Sequence, residues 1–188
     1  MPDSPPASPA PPGSPAPVAG SPVLDLGFAR LDVRRERRQG IAEVVYGPGK
    51  TLGQVTAIVR GLLAHSRGPV LVTRVDAATA AAVQAELGGS YDQEARLACW
   101  RPAPPGDFTV TIVSAGTADW PVAAEARAVA TAIGLRTRVI HDVGVAGLDR
   151  VLQVRDEIED AQAVIVVAGM EGALASLVAG VTPAPVVA

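Results

Sequence analysis

An open, parallel, doubly wound α/β sheet, preceded by a smaller α/β unit, is the fold that this sequence predicts. Strand-like and helix-like stretches alternate from Leu24 onward. Residues 163–168 are apolar almost throughout, the pattern of a parallel strand buried on both faces. The stretch Pro-Ala-Pro-Pro-Gly-Asp at 102–107 interrupts the series and marks its clearest boundary. The expected organisation is a tail over 1–22, a small N-terminal α/β domain over 23–105 and a second α/β domain over 106–188. The last stops on apolar residues before its sheet is covered, as a chain truncated at its C-terminus would.

Nine of the seventeen prolines lie within residues 1–22, among Ala, Ser and Gly, so this segment has nothing to bury and is expected to be extended and disordered. Asp32 opens a polar stretch through Arg34, Arg35, Glu36, Arg37 and Arg38, closed by Gly40, which reads as a short capped helix. Residues 42–46 read as a strand and 47–50 as a tight turn. Thr51 with Gln54 makes a capping box in front of Val55, Ile58, Val59 and Leu62. Residues 70–75 read as a second strand. Asp76 caps an Ala-rich helix that stops at Gly88-Gly89, and residues 95–100 supply a third strand, completing a βαβαβ unit.

Beyond the boundary, residues 108–113 form a β-branched strand. Pro121 starts a helix with Val122, Ala126, Val129 and Ile133 on one face, and Gly134 ends it. Residues 136–140 are the next strand, followed by a helix through Leu148, Val151, Leu152 and Ile158. The strand at 163–168, a short helix at 173–179 and a last strand at 185–188 complete the series. This is a flavodoxin-like arrangement, incomplete at its C-terminus.

Composition narrows the function. The net charge of -3 leaves no basic surface for bulk nucleic-acid or anionic-membrane binding, and 3% aromatics make a poor base-stacking platform. No apolar run approaches the roughly 20 residues that span a bilayer. No Lys or Arg precedes residue 30, so no signal peptide is read. Cys99, the single cysteine, excludes a disulfide framework and a multi-cysteine metal site. A cytoplasmic protein is expected, without nucleic acid, membrane or bound metal.

In an open parallel sheet the ligand crevice lies beyond the carboxyl ends of the strands, where the strand order reverses. If the first and third strands of the second unit are adjacent, two loops meet there. One is Ser114-Ala115-Gly116-Thr117-Ala118-Asp119, with small residues for close backbone approach to a phosphate and two hydroxyls. Asp119 either caps the helix or holds ribose hydroxyls. The other is Gly169-Met170-Glu171-Gly172, where Glu171 either complements a helix dipole or serves as a site acid. A third strand-end loop carries His141, Asp142, Gly144 and Gly147; His141 is a general base or a structural residue. Lys50, the only lysine, sits in a strand-to-helix turn suited to an anion, although Val44 stands where a P-loop needs its first Gly. The cluster at Arg34–Arg38 reads as a solvated face, and Cys99 as an inert buried thiol.

The combination Ser114-Ala-Gly-Thr-Ala-Asp119-Trp-Pro121-Val, Asp142-Val-Gly-Val-Ala-Gly147 and Val167-Ala-Gly-Met-Glu-Gly-Ala-Leu174 resembles the nickel-pincer cofactor biosynthesis carboxylases. In that family this domain is similar to the catalytic subunit of phosphoribosylaminoimidazole carboxylase. Leu31-Asp32, Arg38-Gln-Gly40, Glu43-Val-Val-Tyr-Gly47 and Gly49-Lys-Thr51 fit as well. The resemblance implies a pyridinium-3,5-biscarboxylic acid mononucleotide synthase. Such an enzyme carboxylates the pyridinium ring of nicotinic acid adenine dinucleotide and cleaves the phosphoanhydride, releasing AMP, in the pathway to the lactate racemase cofactor. It further implies Gly116, Thr117 and Asp119 on the ribose phosphate, and Glu171 with Gly169, Met170 and Gly172 along the reacting ring. Asp142 and Gly144 would lie beside them, with Ser114, Ala115 and Lys50 completing the ligand set and Asp119 and Glu171 as the catalytic acids.

CO2 or bicarbonate would be the co-substrate, with no covalent cofactor, a Mg2+ ion left open, and a homo-oligomeric assembly. The purine enzyme's Ser-Ala-His-Arg and later His do not occur at the matching places, which argues against aminoimidazole ribotide. Members of the pincer family continue past the point matching Ala188, and their proposed nucleophilic cysteine lies in that continuation. Two alternatives therefore stay open: a phosphoribosylaminoimidazole carboxylase-type enzyme of IMP biosynthesis, and a nucleotide-binding remnant without catalysis.

Overall fold

The computed structural model describes residues 21–188, so the tail expected over 1–22 falls almost wholly outside the described residues. β1 (Val23–Asp25) and β2 (Arg30–Asp32) pair as an antiparallel hairpin that the sequence pattern did not suggest, because three-residue strands show no periodicity. α1 (Arg35–Gln39) buries nothing and ends at Gly40, whose φ of 77° closes the turn. Asp32 anchors it: its carboxylate accepts from the Arg34 amide and the Arg38 guanidinium, and the Arg38 bond holds its pKa below the usual carboxylate range.

β3 (Val45–Tyr46) leads through the glycine turn into α2 (Leu52–His65), and β4 (Val70–Thr73) leads into α3 (Ala77–Leu87). Both helix starts follow their capping chemistry. Thr51 Oγ1 accepts from Gln54 N–H while Gln54 Oε1 accepts from Thr51 N–H, and Asp76 accepts from Thr79 N–H. Two strands follow, β5 (Ser90–Asp92) and β6 (Leu97–Trp100), joined by a tight hairpin. β6 therefore runs antiparallel to β4, and the sheet, in order β3-β4-β6-β5, is mixed, with β5 added to the βαβαβ unit expected. The reason is local. The chain turns back within Asp92–Leu97, where Asp92 accepts from Ala95 N–H and Arg96 takes a φ of 51°, so no crossover precedes β6.

The second sheet is parallel throughout. β7 (Thr109–Ser114), α4 (Trp120–Ala132), β8 (Arg136–Ile140), α5 (Leu148–Gln153), α6 (Arg155–Glu159), β9 (Ala163–Val167), α7 (Ala173–Val181) and β10 (Val186–Val187) follow in order. The helix expected through Leu148 to Ile158 is broken at Val154 into α5 and α6. The strand order β10-β9-β7-β8 puts the first and third strands side by side, the adjacency on which the crevice argument rests. No helix among the described residues is long and apolar enough to cross a membrane.

Strand alternation sorts the cores. Val70, Val72, Ala98 and Trp100 face α2 and α3, whereas Leu71, Leu97 and Cys99 face the opposite way, onto α4. In the second sheet Val110 and Ile112 also face α4, while Val113, Val164 and Val166 face α5, α6 and α7. α4 is thus packed by both sheets: Ala124 and Ala132 meet the first and Ala123 the second, with Ala123 and Ala124 wholly buried. The Pro-rich boundary is stitched to the end of this helix by Ala103 N–H to Ala132 O and Gly106 N–H to Gly134 O, at 2.9 and 2.7 Å. Gly134 has a φ of 92°, and a β-carbon there would stand 2.8 Å from Pro104 O, so only glycine fits.

Replacing Ala124 by Leu should lower stability by about 1–3 kcal/mol, because the added methylenes have no room between helix and sheet. Urea denaturation measures it; an unchanged midpoint would mean that the first sheet is not held at α4.

Candidate functional site

Three loops leave the carboxyl ends of β7, β8 and β9 and meet in a cleft of about 610 Å³. Its lining includes Ala115 to Asp119 after β7, Asp142, Gly144 and Arg150 after β8, and Gly169 to Glu171 after β9. Backbone bonds lock the loops to one another. Ala115 N–H donates to Val167 O, and Val143 N–H donates to Ser114 O. Gly144 lies so close to the first loop that a β-carbon would stand 2.9 Å from Ala115 O. Asp142 and Met170, both non-glycine, hold φ values of 60° and 55° at the rim, a conformation L-residues adopt only where the surroundings impose it.

Of the residues singled out from the sequence, the cleft gathers Ala115, Gly116, Thr117, Asp119, Asp142, Gly144, Gly169, Met170 and Glu171. Met170 is fully exposed on its lip. Gly172, with a φ of 69°, opens α7 just behind Glu171. Asp119 turns inward on its own loop, where its Oδ2 accepts from Gly116 N–H at 2.8 Å. That bond satisfies one of the amides that a phosphate would otherwise meet, so the remaining donors of the turn are those after Gly116. Ser114 lies behind the loop, completely buried, and its Oγ shares a 2.8 Å hydrogen bond with His141 Nδ1. Lys50 is not among the lining residues; its ammonium donates to Tyr46 O at the first sheet.

Two residues gain weight from the structure. His141 is fixed from two sides, by Ser114 and by the edge of Trp120, whose ring centroid is 5.3 Å away. The Trp120 indole N–H in turn donates to Glu94 Oε1 at 2.6 Å, so the β5–β6 hairpin of the first sheet braces the residue beside the second sheet's loops. Arg150 went unnoticed in the sequence because it lies within an ordinary polar helix. Its guanidinium reaches back to Asp142 Oδ1 at 3.1 Å and lines the cleft. The one sequence signal was Gly147, three residues earlier, where a β-carbon would stand 2.6 Å from Arg150 Nε.

Cys99 is remote from the cleft, on the face of β6 packed against α4, and burial pushes its thiol pKa up. No group of three or more His, Cys, Asp and Glu among the described residues is placed to hold a metal ion.

The arrangement can receive a ligand with both anionic and hydroxyl groups: backbone amides, a hydroxyl at Thr117, carboxylates at Asp119, Asp142 and Glu171, and a guanidinium at Arg150 all converge.

Two predictions follow from this geometry. His141→Ala should cost about 1–3 kcal/mol by stranding the buried Ser114 hydroxyl, and the Ser114→Ala, His141→Ala double variant should cost less than the sum. Strict additivity in a denaturation cycle would show that the pair contributes nothing. Cys99, with little thiolate and 7% exposure, should resist iodoacetamide at pH 8 in the native protein and react once urea is added. Equal rates in the two states would contradict its burial.

Comparison with known proteins bears on this frame. Residues 23–102 match the LarB/PurE-like N-terminal domain family. Uncharacterized protein MJ0165 of Methanocaldococcus jannaschii is 31% identical over 172 residues, an alignment covering 84% of this chain and 66% of that protein. An alignment of that length extends into the second sheet, and this chain spans about two thirds of the relative's length.

Proposed function

We propose that the cleft is the site of a carboxylase acting on a pyridinium nucleotide, nicotinic acid adenine dinucleotide, with release of AMP. The observation that carries the reading is the conjunction of a LarB/PurE-like N-terminal domain with a cleft built by three strand-end loops where the parallel strand order reverses. Overall, one dinucleotide, one CO2 and one water give the dicarboxylated pyridinium mononucleotide, AMP and protons. A carbon–carbon bond forms at the ring carbon, which gives up its proton, and a phosphorus–oxygen bond of the anhydride breaks with water as the acceptor.

Glu171 is the residue assigned to that ring proton. It stands on the rim between Met170 and Gly172 and lines the cleft, where a carboxylate reaches a bound ring without burying its charge. Asp119, fixed on Gly116 N–H, is assigned to the ribose side, together with Thr117. Asp142 and Gly144 form the opposite wall. No bound cofactor enters the scheme beyond CO2 or bicarbonate as co-substrate.

The PurE-like part of the family description keeps one second reading in play, carboxylation of an aminoimidazole ribonucleotide in the same cleft. Incubating the chain with each nucleotide and bicarbonate, followed by mass spectrometry, separates the two. The expected result is AMP together with a product one carboxyl heavier from the dinucleotide, and no change in the imidazole nucleotide. Glu171→Gln should abolish turnover while retaining binding, being nearly isosteric. Normal turnover in that variant would remove Glu171 from the chemistry. Calorimetric binding without turnover in the wild type would move the assignment to a nucleotide-binding protein, and absence of both would end the dinucleotide reading.

A further inference from the structure

We propose that Arg150 is the anion anchor of this cleft, and that Asp142 holds it in readiness as a placeholder for the ligand's phosphate. The inference rests on the reading of the cleft as a site for a phosphorylated ligand and deepens it by naming the residue that makes such a ligand acceptable.

Among the described residues that line the cleft, the charged side chains are Asp119, Asp142, Glu171 and Arg150. Three carboxylates and one guanidinium would repel a phosphate unless the guanidinium is turned to it. One amide of the first loop, Gly116 N–H, is already committed to Asp119.

The glycines of the loop after β8 lie beside this cation. A β-carbon at Gly147 would stand 2.6 Å from Arg150 Nε, and one at Gly144 would stand 3.7 Å from its Nη2. The guanidinium thus lies beside the glycines of the loop after β8, with Nη1 on Asp142, and lines the cleft.

The partner bond is of the kind that a ligand can exchange. Arg150 and Asp142 keep 45% and 50% of their side chains exposed, and an ion pair that open to water contributes little. A phosphate or diphosphate offers the same planar fork a more highly charged, bidentate acceptor. Asp142 sits at a φ of 60°, a left-handed conformation that Asp adopts more readily than most residues. In the empty cleft Asp142 keeps Arg150 from wandering; in the occupied cleft the anion replaces it.

Calorimetry on the full chain with inorganic pyrophosphate, and separately with nicotinic acid adenine dinucleotide, tests this. Wild type should bind pyrophosphate, Arg150→Met should lose about tenfold to a hundredfold in affinity, and Arg150→Lys should recover only part of it. Asp142→Asn, which keeps the arginine and removes its competitor, should tighten pyrophosphate by about twofold to fivefold. That variant decides the matter should Arg150→Met fail to fold by circular dichroism. A folded Arg150→Met protein with wild-type affinity, an Asp142→Asn protein with weakened affinity, or a wild type blind to pyrophosphate would each overturn the anchor. Dinucleotide binding that is indifferent to Arg150→Met would remove the anchor but leave the dinucleotide reading standing. Arginine-dependent pyrophosphate binding without dinucleotide binding would do the reverse.

Discussion

Both sheets pack on α4, and the helix can accept them because its fully buried contact positions, Ala123 and Ala124, are alanines. A helix flanked by larger side chains would hold its neighbours about 10 Å away on each side; here Ala123 and Ala124, wholly buried, let the strands of either sheet approach closely. Everything else is placed relative to that contact. Leu71, Leu97 and Cys99 pack onto one side and Val110 and Ile112 onto the other, so each sheet's second face is left to its own helices. The apolar stripe read from the sequence, Val122, Ala126, Val129 and Ile133, describes only part of this helix, since Val122 is itself exposed.

The same helix carries the influence of the first sheet to the cleft. Its first residue, Trp120, touches His141 with its ring and Glu94 with its indole N–H, while Arg127, two turns on, meets Glu94 and lies over the Trp120 ring. The hairpin β5–β6 thus reaches across to brace a side chain beside the strand-end loops. This gives the N-terminal unit a part in the geometry of a site to which it contributes no lining residue.

Elements with local causes were legible in the sequence. The Thr51–Gln54 capping box, the Asp76 cap, the strand at Arg136–Ile140 and the apolar run at Ala163–Val167 all rest on chemistry within a few residues of themselves. What escaped rests on partners far along the chain. The direction of β6 depends on a tight reversal that looks like an ordinary polar turn, and β1–β2 is too short to show a period. Arg150 is meaningful only once the loop after β8 folds back over it. The cleft's loops were found because glycine and small residues at strand ends have few other uses. The roles of Ser114 and Lys50 could not be read, because burial and distance from the cleft are properties of the fold.

The stitched boundary at 102–107 has a consequence for how the molecule moves. A proline-rich segment between two sheets suggests a tether along which each half could swing. Here Ala103 and Gly106 are hydrogen-bonded to the end of α4, and Gly134 is shaped to receive Pro104. The segment behaves as a clasp: it fixes an orientation instead of granting reach.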